Sequence, residues 1–274
     1  MKAAKTILSS ILAIGVMTTL SGVSQVSADQ GSKMTSLTSV KSASVEPDLY
    51  QEVPKFQKTL SKNKVIWNGK NIELIANIVA EENVPASESK VIRSIVISKG
   101  KMKQTIKADD LGEKWHEIIR IVDSNSGNWV AVQAAKSAGN AVILVNLKTG
   151  ESTNLHDRLA EEGKKGVESI PSLNWSPVED KLAISYGNTE KSSLAIYDAK
   201  KGTFEYIPRT TNYISTGVIL WHKNGKSFDY ISEYPSDQMS LFRYNTAAKK
   251  VKPIKKMTRK EFQQFMKLDQ QVQD

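Results

Sequence analysis

Leu173-Asn174-Trp175-Ser176-Pro177, then Lys181-Leu182-Ala183-Ile184, Leu194-Ala195-Ile196-Tyr197-Asp198 and Lys201-Gly202, is the stretch on which the fold turns. Its short runs of aliphatic and aromatic residues are separated by Ser-Pro, Asp and Lys-Gly clusters. That pattern predicts short strands joined by tight turns. The stretch recurs along the chain. Residues Asp123 to Val132 align on Trp175 to Ile184 at an offset of 52, and without a gap Val145-Asn146 falls on Tyr197-Asp198 and Gly150 on Gly202. Another copy opens at Trp221, offset by 46, and one inserted residue later brings Leu241-Phe242-Arg243-Tyr244-Asn245 onto Leu194 to Asp198. A fainter copy opens with Val65-Ile66-Trp67-Asn68-Gly69 and runs through Ile95-Val96-Ile97 to Ile106. Trp67, Trp175 and Trp221 thus share one repeat position and are expected to pack between repeats. Trp129 is placed to fill in for the Trp that Asp123 replaces, and Leu155, Ile207 and Ile254 fall at last-strand core positions.

Each unit reads as four strands. A lone four-stranded sheet cannot bury both faces, whereas sheets stacked around an axis bury the faces between neighbours. Repeats of about 40–50 residues with four strands belong to propeller blades. The expected fold is therefore all-β: a β-propeller of about four recognisable four-stranded blades, as a small or incomplete ring. A β-sandwich is the alternative. The quoted motif resembles the WD40-like repeat of TolB-type β-propellers, in which W-S-P-D-G precedes a short apolar strand and then a strand ending in Asp and a Gly turn. Two departures stand out. Pro177-Val178-Glu179-Asp180 carries one residue more than the P-D-G turn, and Asp123 stands where the motif has Trp. TolB-type propellers usually have more than four blades, so the region from Leu49 to Leu60 is a candidate to complete an arc. The motif consists of turn and core residues, and it speaks for a fold rather than for a function.

Outward from the repeats, the two ends differ. Lys2 and Lys5, the apolar run from Ile7 to Leu20 and Val26-Ser27-Ala28 form a secretory signal peptide over residues 1–28, too short in its apolar run for a membrane span. Residues 29–48, rich in Ser, Thr and Gln, read as a flexible linker, and residues 49–257 as the propeller domain. Residues 258–274 read as a C-terminal amphipathic helix and tail. Thr258 and Glu261 have capping-box spacing, Met257 and Phe262 a hydrophobic staple, and Phe262, Phe265 and Met266 one helical face.

Of 274 residues, cleavage leaves 246; Lys2 and Lys5 leave with the signal and no acid does, so the net charge falls from +9 to +7. The chain has no cysteine, which removes thiolate catalysis, thiolate metal sites and disulfides. His116, His156 and His222 lack ligand spacing, and no HExxH, G-x-S-x-G or phosphate-binding Gly loop occurs. Asp109-Asp110 and Glu161-Glu162 sit in polar, lysine-containing segments and read as solvated loops rather than paired catalytic carboxylates. No metal and no cofactor is expected, and no catalytic residue is assigned. Two clusters are candidates for ligand binding. Lys249, Lys250, Lys252, Lys255, Lys256, Arg259 and Lys260 suit a polyanion, although edge-strand lysines also discourage strand pairing. Trp115 beside His116 would suit ligand stacking if the indole were exposed. The expected function is an exported, non-enzymatic propeller that binds a protein or an anionic envelope polymer, in the cell envelope or extracellular space, rather than nucleic acid. The alternative is a propeller-type hydrolase or lyase acting on envelope polymers or peptides.

Overall fold

The structure is a computed structural model; it describes residues 47–82, 89–209, 213–235 and 237–271. The signal peptide and nearly all of the 29–48 linker lie outside the described residues. Among the described residues, seventeen strands form four antiparallel sheets in chain order. The first sheet holds β1 (Phe56–Ser61), β2 (Lys64–Gly69), β3 (Glu73–Ala80), β4 (Lys90–Lys99) and β5 (Met102–Lys107). The second holds β6 (Glu117–Asp123), β7 (Trp129–Ala135), β8 (Asn140–Asn146) and β9 (Ser152–Asn154), followed by helix α1 (Leu155–Glu161). The third holds β10 (Ser169–Trp175), β11 (Lys181–Gly187), β12 (Ser192–Asp198) and β13 (Thr203–Ile207), and the fourth β14 (Ser215–Trp221), β15 (Ser227–Glu233), β16 (Met239–Asn245) and β17 (Lys250–Lys256). Helix α2 (Arg259–Asp269) follows the fourth sheet. The blades are therefore those of the repeat, except that the first sheet has five strands.

The repeat offsets hold in detail. β6, β10 and β14 each pair with their neighbour through a register shift at the same repeat position, between Ile118 and Arg120, Ser169 and Ser172, and Thr216 and Val218. Strand alternation then gives each sheet two apolar faces. One apolar cluster joins sheets one and two, another two and three, another three and four. The fourth sheet does not repeat this on the first. Its outward apolar residues Val218, Leu220, Ile231 and Leu241 pack with Tyr50 and Phe265, so the N-terminal segment and α2 cover the face where a next blade would lie. The result is an open arc of sheets with a cap, the device by which repeat arrays end.

Trp175 and Trp221 are fully buried and each faces the preceding sheet. Trp67 is buried too, but it faces the following sheet, among Leu74, Ile97 and Val130. This corrects the sequence alignment: the first sheet is offset by one residue from the repeat, which turns the ring to the other face. Trp129 packs against the cluster between sheets two and three, so it does not replace the Trp missing at Asp123, whose position faces sheet one. Asp123 instead accepts from Lys99 of the first sheet at 2.8 Å. Ile207 is buried in its last strand as expected; Leu155 is buried too, but it opens helix α1 instead of lying on the last strand. Ile254 is exposed, because the register shift in the β16–β17 pairing between Leu241 and Phe242 leaves it without a paired position.

Residues 49–60 serve both ends of the arc. Tyr50 forms a bridge with His222, and Gln51 N donates to Trp221 O at 2.8 Å, on the fourth sheet. Residues from Phe56 then form β1 of the first sheet. Helix α2 has the expected capping box at Thr258 and Glu261, with Met257 and Phe262 packed alongside. Phe265 is buried; Met266, expected on the same face, is exposed. At the helix end, Arg120 binds Asp269 in a two-pronged ion pair, and just beyond it the Gln271 amide donates to Ile121 O at 2.7 Å and accepts from Ile121 N at 3.0 Å. The main-chain O of Gln271 accepts from Phe56 N at 2.9 Å. The C-terminal segment thus ties the fourth sheet to the free inner edges of the first two.

Candidate functional site

Where β1 ends and β6 begins, the first two sheets part. A cleft of about 440 Å3 opens between them, floored by Val65, Ala76, Ile78 and Ile92 of the first sheet and Ile118 and Ala135 of the second. Trp115 anchors the base. Its ring is fully buried in the cluster shared by the two sheets, and its carbonyl accepts from Ile92 N at 2.8 Å. The expectation that Trp115 offers an exposed stacking face is therefore corrected; the apolar demand of the sheet junction takes the indole inside.

His116, the next residue, does reach the mouth of the cleft. Its Nδ1 lies 3.1 Å from Lys90 O and its Nε2 3.2 Å from Ser137 Oγ. A carbonyl can only accept, which places a proton on Nδ1. Both nitrogens are engaged in bridging the sheets. The same cleft is lined by Lys58, Lys62, Lys90 and Lys136, with Glu117 the acid among them. Lys58 is paired with Glu117 at 2.7 Å, and Lys136 with Glu113 at 3.1 Å. Among the described residues Lys62 and Lys90 have no ion-pair partner, and both are exposed.

The basic segment near the C-terminus is divided by the fold. Lys249 adopts a left-handed turn conformation (φ 51°) and lies 3.2 Å from Glu205 of the third sheet. Lys255 contacts Glu261 at 2.7 Å, and that lysine together with Thr258 pulls the Glu261 carboxyl down to about 2. Lys250, Lys252, Lys256, Arg259 and Lys260 are exposed on the edge strand β17 and the first turn of α2, without an ion pair among the described residues. Trp115 and His116 lie in the cleft region between sheets one and two, so the structure does not assemble the two sequence candidates into one site.

The densest ionic cluster went unread in the sequence. Asp229, completely buried, accepts from Tyr50 OH at 2.8 Å and from Arg243 Nε at 2.7 Å and Nη2 at 2.9 Å, and His222 Nε2 lies 3.1 Å from it. Burial pushes this carboxyl up, but Arg243, His222 and Tyr50 outweigh it and hold it below the usual carboxylate range. No local motif could have revealed the set, because Tyr50 arrives from the far end of the sequence. Among the described residues no group of three or more His, Asp or Glu side chains is arranged to hold a metal ion. No helix among them is long and apolar enough to cross a membrane.

The sequence matches no protein-family model and no curated protein. Solved structures similar in fold include TolB from Acinetobacter baumannii, at 17% identity over 66% of this chain and 41% of that one, with a TM-score of 0.40. The β-propeller domain of the Trilobed protease from Pyrococcus furiosus, described as having an open velcro topology, is 13% identical over 75% of this chain and 58% of that one, with a TM-score of 0.43. An oligogalacturonate lyase in complex with manganese is 12% identical over 77% of this chain and 68% of that one, with a TM-score of 0.41. The chain spans less than half the length of the TolB chain it resembles. Its structural neighbours are TolB and other β-propellers, and the likeness is one of fold.

Proposed function

We propose that the chain is an exported, non-enzymatic propeller-type binding protein of the cell envelope or extracellular space, holding a protein or an anionic envelope polymer. The observation that carries this reading is the set of five exposed cations, Lys250, Lys252, Lys256, Arg259 and Lys260, on one sheet edge and the helix start beside it, which form no ion pair among the described residues. Several such charges act together on a flexible polyanion, and salt screens them beyond about 8 Å at physiological ionic strength. The reading as a hydrolase or lyase would need reactive groups open to a substrate. The densest ionic cluster, around Asp229, is instead buried and committed to holding Tyr50.

The test is co-sedimentation of the mature protein with isolated cell envelopes at low and high salt. Wild type should bind at low salt and be released at high salt, and a variant with Lys250, Lys252 and Lys256 changed to Gln should stay in solution. Equal binding by the two at low salt would assign these lysines to solubility and edge protection. Export is tested by N-terminal sequencing of protein recovered from envelope or medium, where Asp29 is the expected first residue.

A further inference from the structure

The cleft between the first two sheets has a different chemistry from the basic edge. We infer that it is a binding site for an aliphatic-chain carboxylate, the chain lying against Val65, Ile78, Ile92 and Ile118 and the carboxylate meeting Lys62 and Lys90. Three observations converge on that ligand class. At about 440 Å3 the cleft lies within the range of small-molecule sites, about 300–1,000 Å3. Its floor is aliphatic on both sides, contributed by two sheets, which matches a flexible methylene chain rather than a planar ring stacked on aromatics. The mouth carries four lysines against Glu117, and after the Lys58–Glu117 and Lys136–Glu113 pairs are formed, Lys62 and Lys90 are left to receive one added negative charge.

The cleft is a holding site rather than a reaction site. His116, the titratable ring at its mouth, is engaged on both nitrogens by Lys90 O and Ser137 Oγ, so it has no free position for proton transfer. Those two contacts also span the sheets and keep the mouth at a fixed width. The apolar floor makes affinity rise with chain length, by about fourfold for each methylene removed from water. The lysine pair makes it depend on the charge of the head group.

Isothermal titration calorimetry on the mature protein tests this with octanoate, decanoate and decanol, all below their aggregation limits. Decanoate should bind about sixteenfold tighter than octanoate and at least tenfold tighter than decanol. In the exposed double variant Lys62→Glu/Lys90→Glu the preference for decanoate over decanol should vanish, and Ala135→Leu, which fills the cleft, should weaken both ligands. The Lys250, Lys252 and Lys256 variant should bind decanoate as wild type does, which separates this site from the basic edge. Decanoate binding no tighter than decanol, or unchanged in Lys62→Glu/Lys90→Glu, overturns the inference. So does tight binding of an acidic peptide that decanoate fails to displace.

Discussion

The indole Nε1 of Trp175 donates to the main-chain O of Val122 in the preceding sheet at 3.1 Å, and Trp221 makes the equivalent bond to Asn174 O at 3.0 Å. Val122 and Asn174 are themselves repeat equivalents, so one bond stitches successive blades together. Trp67, turned to the other face, leaves its buried Nε1 without a hydrogen-bond partner among the described residues. The three indoles therefore separate ring packing from hydrogen bonding. Trp175→Phe keeps most of the ring and loses one hydrogen bond between blades, costing about 0.5–1.5 kcal/mol. Trp175→Ala adds an emptied aromatic site, about 3–5 kcal/mol. Trp67→Phe should cost clearly less than Trp175→Phe in urea unfolding. Equal losses for the two Phe variants would mean that the bond to Val122 contributes nothing.

Arg120 and Asp269 are a buried pair, each about 10% exposed, bonded through both guanidinium nitrogens at 2.6 Å. Burial keeps the Asp269 carboxyl above its usual range even with Arg120 opposing it. Arg120→Leu strands that carboxyl and should cost about 3–5 kcal/mol, whereas Arg120→Leu/Asp269→Leu should recover much of the loss. Denaturant midpoints of the single and double variants measure this. Strictly additive losses would show that the two side chains do not depend on each other.

Acid should weaken the fold in two stages. Burial, helped by the charge of Lys136, lowers the His156 imidazole to about 4, so it is neutral in the folded chain at pH 7. The unfolded ring titrates near 6.5. Between those values the unfolded state binds more protons, so stability falls as pH drops from about 6.5 to about 4, by up to about 3 kcal/mol. Asp229 acts lower. Its folded pKa lies below the unfolded value, so its contribution is complete above about pH 4 and is lost as pH falls through the folded value. Urea unfolding at pH 7, 6 and 5 should reveal the first stage, and His156→Leu should flatten it. An unchanged slope in that variant would remove His156 as its cause.

The fold was legible where a residue type reports its face. The Trp175 and Trp221 positions, the turn glycines and the Thr258–Glu261 box all carry local physics, and all are found where the sequence places them. Trp67 misled because both faces of the first sheet hold apolar residues, so a one-residue slip leaves the pattern looking intact while reversing the ring. The cleft was legible only at His116. Lys58, Lys62, Lys90 and Lys136 come from separate strands and turns, and only the parting of two sheets makes them neighbours. The run from Lys249 to Lys260 was legible as charge, but Glu205 and Glu261, which claim two of its lysines, lie on other elements.

The end of the arc is written at a single repeat position. Gln133 Nε2 donates to Ile170 O of the next sheet at 2.6 Å, and its equivalent Ser185 Oγ donates to Thr216 O at 3.0 Å. Ile170 and Thr216 are also equivalents, so each inner blade offers a polar group to the blade that follows. In the fourth sheet the same position is Ile231, buried against Tyr50, Leu241 and Phe265 because a helix follows instead of a blade. Ile231→Gln would restore the inner-blade residue where no carbonyl of a next blade awaits it. It should cost about 2–4 kcal/mol, from lost aliphatic packing and an unpaired buried amide. The loss should be local at first: amides of α2 and of the segment around Tyr50 should exchange hydrogen faster, while those of β10 to β12 keep wild-type protection. Unchanged exchange in α2 would mean that Ile231 does not hold the cap, and that the helix is fastened by Arg120 and Gln271 alone.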